Sequence, residues 1–134
     1  MGADGCFYCP PSCASRVLRI DTAAREVSEI GPDLCYGGFK YSMALKCGDG
    51  NVYCPPWLGT QVLRIDVEQR SVKFVGKDQG PGGGKWKGFV RGKEEGDFFL
   101  VPWNATKMLH LNLNHETDNV RCELLDPDLG YRPR

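Results

Sequence analysis

Apolar and polar positions alternate along this chain in short bursts, and each burst stops at a glycine, a proline or a polar turn. In QVLRID (61–66), Leu63 and Ile65 fall on one side of an extended segment, and Val62, Arg64 and Asp66 fall on the other. That period of two belongs to a strand, not to a helix. NVYCP (51–55) sets Val52 and Cys54 against Tyr53 in the same way. Asp49-Gly50, just before it, is a hairpin signal because both residue types tolerate positive φ. Pro55-Pro56 must leave the ladder, since proline has no N–H to donate. SVKFVG (71–76) follows a polar turn at 68–70, and no long amphipathic helical pattern occurs anywhere. The elements predicted are short antiparallel strands.

These strands come in copies. Residues 5–31 match residues 50–76 at 13 of 27 positions, among them Tyr8/Tyr53, Cys9/Cys54, the Pro-Pro pairs, and VLRID at 17–21 and 62–66. A third copy at 96–112 matches the second at Gly96, Pro102, Trp103, Thr106 and Leu109. GGFKYSMAL (37–45) aligns with GGGKWKGFV (82–90), so that Lys40 meets Lys85 and Tyr41 meets Trp86. The unit is therefore about 45 residues long and holds four segments, here named A (KY/KW), B (YCPP), C (VLRID) and D (VKFVG). Four short strands at a period of 40–50 residues are the mark of propeller blades.

The expected fold is all-β, with about three four-stranded antiparallel blades in an open sector and not a closed ring. The chain forms one β-repeat domain, 1–134. Blade 1 (5–36) lacks its inner A strand, blade 2 covers 37–81, blade 3 covers 82–125, and a tail covers 126–134. Exposed blade edges would then seek a partner, because unpaired backbone groups are adhesive.

DGNVYCPPWLGTQVLRID resembles the blades of NHL-type and gluconolactonase-like propellers. It is more similar still to tandem repeats of alveolate algae that read K-W…I-Y-C-x-P…V-L-x-I-D. Lys85, Trp86, Tyr53, Cys54, Pro56, Asn104, Ala105, Val62, Leu63, Ile65 and Asp66 sit on that pattern, and the likeness covers about residues 5–125. The resemblance implies a fold more than an activity. Its distribution implies a place beside a photosynthetic membrane complex, as a peripheral photosystem–antenna subunit in a plastid.

Charge narrows the functions. Lys+Arg and Asp+Glu both number 17, so the formal net charge is zero, against the basic excess of general nucleic-acid binders and polybasic membrane anchors. No apolar run reaches the length of a membrane span, and the opening MGADGCFYCPP has no signal core. Position 6 is Cys6, not the Ser or Thr of an acylation site. Seven cysteines with no framework spacing point to a reducing intracellular compartment.

Candidate chemistry is thin. Cys6, Cys9 and Cys13 form a C-x2-C-x3-C cluster, with Cys35 as a fourth candidate metal ligand. Cys9, however, is the repeat's YCPP cysteine, so structural thiols are expected, and no metal or cofactor. His110 takes the place of Arg64 on the outward side of a C strand, and His115 lies in the next turn; neither has a nucleophile at a telling position. Asp21, Asp66 and Asn112 end their C strands at equal places and are expected to cap the C–D turn. Gly80–Lys85 lacks phosphate-loop spacing.

Trp57 and Trp103 follow the prolines at the mouth of their blades, and with Trp86, Tyr36 and the tail's Tyr131 they are the expected partner-contact residues. The functional expectation is a non-catalytic interaction or accessory subunit of a larger assembly that binds other protein subunits, with a homodimer as one form. It is not expected to be an enzyme. The alternative from another class is a ligand-binding or gluconolactonase-like, metal-dependent hydrolase propeller completed by oligomerisation.

Overall fold

The computed structural model describes residues 1–35, 38–78, 86–114 and 119–129, with the side chains of positions 114 and 119 left aside. Among these residues there are strands and no helix, and so none long and apolar enough to cross a membrane. Blade 1 is a sheet of β1 (Phe7–Cys9), β2 (Val17–Asp21) and β3 (Glu26–Ile30). Blade 2 orders β4 (Leu45–Lys46), β5 (Val52–Cys54), β6 (Val62–Asp66) and β7 (Ser71–Val75). Blade 3 orders β8 (Trp86–Arg91), β9 (Asp97–Pro102), β10 (Met108–Asn114) and β11 (Asn119–Leu125). The chain is thus an open set of antiparallel sheets in A-B-C-D order, the first with three strands because it lacks A.

The register repeats with the sequence. Tyr8 pairs with Arg19, Tyr53 with Arg64 and Phe99 with His110. The inner strands share a bulge. Tyr41 bridges Pro56 while Leu45 pairs with Tyr53, and Trp86 pairs with Pro102 while Phe89 pairs with Leu100. Each inner strand therefore spends one more residue than its partner, which turns it at the blade mouth. The aromatic residue ahead of the bulge anchors that turn. The Tyr41 hydroxyl donates to the carbonyl of Gln61 at 2.9 Å, and the Trp86 indole N–H donates to that of Lys107 at 3.0 Å.

Turn chemistry repeats too. The Asp21 carboxylate accepts from the Ala24 amide and the Asp66 carboxylate from the Gln69 amide, both at 3.0 Å, as the sequence led us to expect. Arg25 and Arg70 then close these turns at φ 57° and 52°. Gly31 and Gly76 end the outer strands at φ 78° and 76°. A Cβ on Gly31 would lie 2.6 Å from Val72, and one on Gly76 would lie 3.0 Å from Cys122 Sγ. Glycine is needed at this point because the end of one blade's outer strand touches the next blade.

The core consists of two layers between blades. Tyr8, Val17 and Ile30 of blade 1 pack on Val52, Cys54, Leu63, Ile65 and Val72 of blade 2. Tyr53, Val62 and Val75 of blade 2 pack on Phe98, Leu100, Leu109, Leu111 and Leu113 of blade 3. Blade 2 is therefore buried on both faces. This corrects the expectation that Arg64 points outward, because Arg19 and Arg64 are both buried within the joints. A backbone bond ties blade 2 to blade 1 across the first joint, from Lys40 N to Ser12 O at 2.9 Å.

Leu63 and Leu18 occupy the same repeat position, yet Leu63 is fully buried and Leu18 is half-buried. Leu63→Ala is expected to cost about 2–5 kcal/mol and Leu18→Ala less than half of that. Urea unfolding of the two variants, at a protein concentration low enough to keep the chain monomeric, checks this; equal losses there would mean that the single chain covers blade 1 as well as blade 2.

Candidate functional site

The joints carry a repeated polar group. In the first, the Tyr8 hydroxyl donates to Asp4 Oδ2 at 2.6 Å and accepts from Arg19 Nε at 3.2 Å, while Arg19 Nη2 lies 3.4 Å from the same carboxylate oxygen. In the second, the Tyr53 hydroxyl donates to Asp49 Oδ2 at 2.8 Å and Arg64 Nη2 lies 3.6 Å from Asp66 Oδ2. Burial raises the Asp4 pKa, but the Tyr8 hydroxyl, the Cys6 amide and Arg19 outweigh it, and the carboxyl ends below its usual value. Burial, reinforced by the bond to Asp49, pushes the Tyr53 phenol up. Each buried guanidinium thus has a carboxylate beside it, which offsets its desolvation.

Blade 3 varies this group. Phe99 stands in place of the tyrosine and His110 in place of the arginine, and their rings stack at 4.6 Å and 9°. Asp97 Oδ1 accepts from Asn112 Nδ2 at 2.6 Å and lies 3.1 Å from His110 Nε2. The Asn112 and His110 bonds hold Asp97 below the usual carboxylate range. Asn112 was expected to cap the C–D turn, but β10 runs on to Asn114 and the amide turns to Asp97 instead. This cluster was not foreseen. Its signal is Asp97 directly after the A–B turn glycine, where the other copies have Cys6 and Asn51.

Two clefts open where A–B turns of neighbouring blades meet. One of about 480 Å³ is lined by Asp4, Asp49, Asn51, Arg64, Asp66 and Glu68. The other, of about 310 Å³, is lined by Cys47, Arg91, Lys93, Glu94, Glu95 and Asp97. Both are walled by carboxylates, with Arg64 in the first and Arg91 in the second. Burial pushes the Cys47 thiol up to about 12 and raises the Cys54 and Cys6 thiols, so these cysteines stay protonated and un-nucleophilic at neutral pH.

The other sequence candidates scatter. Cys6 is buried on the joint face, Cys9 and Cys13 are half-buried, and Cys35 is exposed, with no disulfide among them. Among the described residues, no three metal-ligating side chains converge. Trp57 and Trp103 lie half-buried at the B–C loops, at the end of the blades opposite the clefts. The Trp57 amide donates to the Lys40 carbonyl at 2.8 Å, and the Lys87 ammonium sits 4.6 Å from the Trp103 ring. Trp86 is 2% exposed and belongs to the second joint, so its indole is not offered on the blade surface. Tyr36, Tyr131, His115 and the Gly80–Lys85 loop lie outside the described residues.

The two terminal faces are unequal. The face of blade 1 that points away from blade 2 carries Phe7, Cys9, Leu18, Ile20 and Val27, a largely apolar patch. The face of blade 3 that points away from blade 2 carries the Phe99–His110 stack, Met108 and Asn112.

No family model matches the chain, and no curated protein does. Solved structures match in fold. The chain is similar to virginiamycin B lyase from Staphylococcus aureus, with a TM-score of 0.61 and 14% identity over 98% of this chain and 41% of that one. It is similar to a streptogramin B lyase with a TM-score of 0.64 and 13% identity, over 96% of this chain and 40% of that one. The chain thus spans about two fifths of the length of these structures, and the likeness is one of propeller-type fold. One expectation falls here. Absence of catalysis was expected because no nucleophile, acid–base or metal constellation stands out along the chain, and both of these structural neighbours are lyases. Fold is no ground for excluding an enzyme.

Tyr53→Phe removes the hydroxyl that links blade 2 to Asp49, and is expected to cost on the order of 1–3 kcal/mol in urea unfolding; no loss would mean the bond has no net value. For Asp97 the lowered folded pKa gives stability that is complete above the unfolded carboxyl value, about 3.9, and is lost as the pH falls through the folded value. Melting curves of the native chain and Asp97→Asn are expected to converge below about pH 4; a gap that persists into strong acid contradicts this.

Proposed function

We propose that this chain is a protein-interaction subunit, working as a sector of a propeller whose terminal blade faces are covered by protein in a larger assembly. The observation that carries this reading is exposure at equivalent positions. Phe7 is 45% exposed, where Val52 is 3% and Phe98 1% exposed. Val27 is 63% exposed, where Val72 is 8% exposed. An apolar position that the other two blades bury, and one that blade 2 buries, are left open in blade 1, and contiguous apolar surface of this kind marks an interaction site. The inner edge of β1 adds a second opening, because no strand among the described residues pairs with it. The likeness to alveolate algal repeats supports placing the assembly at the periphery of a photosynthetic membrane complex in a plastid.

A second reading is favoured by the two lyases. The completed ring would carry a small-molecule site at its axis, built by inner strands and blade-mouth loops from several blades.

Mild isolation of the native protein tests the contact reading. It should migrate with other polypeptides in a particle well above its own 14.9 kDa. Migration as a lone, monodisperse chain overturns the reading, and comigration with pigment–protein complexes is the result that the photosynthetic placement requires.

A further inference from the structure

We propose that one occupant of these faces is a second copy of this chain, joined head to tail, with blade 3 of each copy seated on blade 1 of the other. The inference rests on the contact reading above and names the partner.

The argument starts from the two joints inside the chain. In both, the face that holds the aromatic–cation pair of one blade meets a purely apolar set of side chains on the next. Tyr8, Val17 and Arg19 meet Val52, Leu63 and Ile65; Tyr53, Val62 and Arg64 meet Phe98, Leu109 and Leu111. Among the described residues, one face of each kind is left without a blade against it. Blade 3 offers Phe99, Met108 and His110, at the repeat positions of Tyr53, Val62 and Arg64. Blade 1 offers Phe7, Leu18 and Ile20, at the positions of Val52, Leu63 and Ile65. A third joint of the same type therefore needs a blade 3 face and a blade 1 face, and a second copy supplies whichever is missing.

Like faces match less well. Two blade 1 faces would bring together aliphatic surfaces that the internal joints never pair, and two blade 3 faces would oppose the His110–Asp97–Asn112 clusters. A head-to-tail contact is heterologous, and it stays finite only if the rotation closes. Two copies place three plus three blades around one axis, within the four to eight at which propellers close.

Light scattering and sedimentation of the 134-residue chain, with two face variants, test this. The native chain should be a dimer. Leu18→Lys and Phe99→Glu, each folded by circular dichroism, should each halve the mass to that of a monomer. Their equimolar mixture should return to a dimer, because one joint is then built from two native faces. Ile20→Lys and Met108→Glu form a second pair should either of the first lose its fold. A mixture that stays monomeric overturns the head-to-tail joint, and a ladder of higher species overturns the closed pair. A native chain that is monomeric at high micromolar concentration overturns the second copy as occupant. If that monomer still comigrates with other polypeptides in native isolates, the contact reading survives without it; if it migrates alone, both fall.

Discussion

Everything in this molecule depends on the fact that its middle sheet is apolar on both faces. A sheet with one wet face can rest on a single neighbour, but a sheet such as blade 2, with Leu63 and Ile65 on one side and Tyr53 and Val62 on the other, must be sandwiched. Full burial of one such side chain contributes about 1.5–3 kcal/mol, so each joint outweighs any single hydrogen bond that the blades make. Glycine at the ends of β3 and β7 lets the next blade come within contact distance, and the bulged inner strands, pinned by Tyr41 and Trp86, shape the mouth. Blade 2 satisfies its requirement within the chain. Blades 1 and 3 satisfy it on one side only.

The polar groups inside the joints follow from the same constraint. A guanidinium held between two sheets loses water, and the fold returns a carboxylate to it, Asp4 beside Arg19 and Asp66 beside Arg64. The pairing offsets the cost of burying the guanidinium and adds little stability beyond that. In blade 3, which no further described blade follows, the tyrosine–arginine pair gives way to Phe99 and His110, and Asp97 satisfies the histidine from within the same blade. The terminal face is thereby self-sufficient in its polar bonds while it keeps an aromatic surface.

Much of this was legible in the residues. Period-two alternation and the 45-residue repeat locate the strands, the missing inner strand of blade 1, and the Asp21 and Asp66 turn caps. The burial of Arg19 and Arg64 was not legible, because alternation assigns them to a polar side, and a stacked blade has none. Trp86 looks like a contact residue by composition, and only its register opposite Pro102 shows that it faces blade 2. The Asp97–His110–Asn112 cluster joins β9 to β10 through side chains far apart in sequence, which no local pattern announces. The expectation of no catalysis rested on the lack of a local catalytic motif, and a site assembled from loops of several blades leaves no such motif in three of them; the structural neighbours are lyases.

The account stands on the claim that the outer faces of blades 1 and 3 are joint surfaces awaiting a blade, while β6 is already enclosed. Amide hydrogen exchange at low and high protein concentration measures this directly, since exchange reports local opening and few buried contacts mean easy opening. At low concentration β6 should exchange far more slowly than β2. At high concentration β2 and β10 should gain protection together while β6 stays unchanged. If β2 is as protected as β6 at every concentration, its outer face needs no cover, and the account is contradicted.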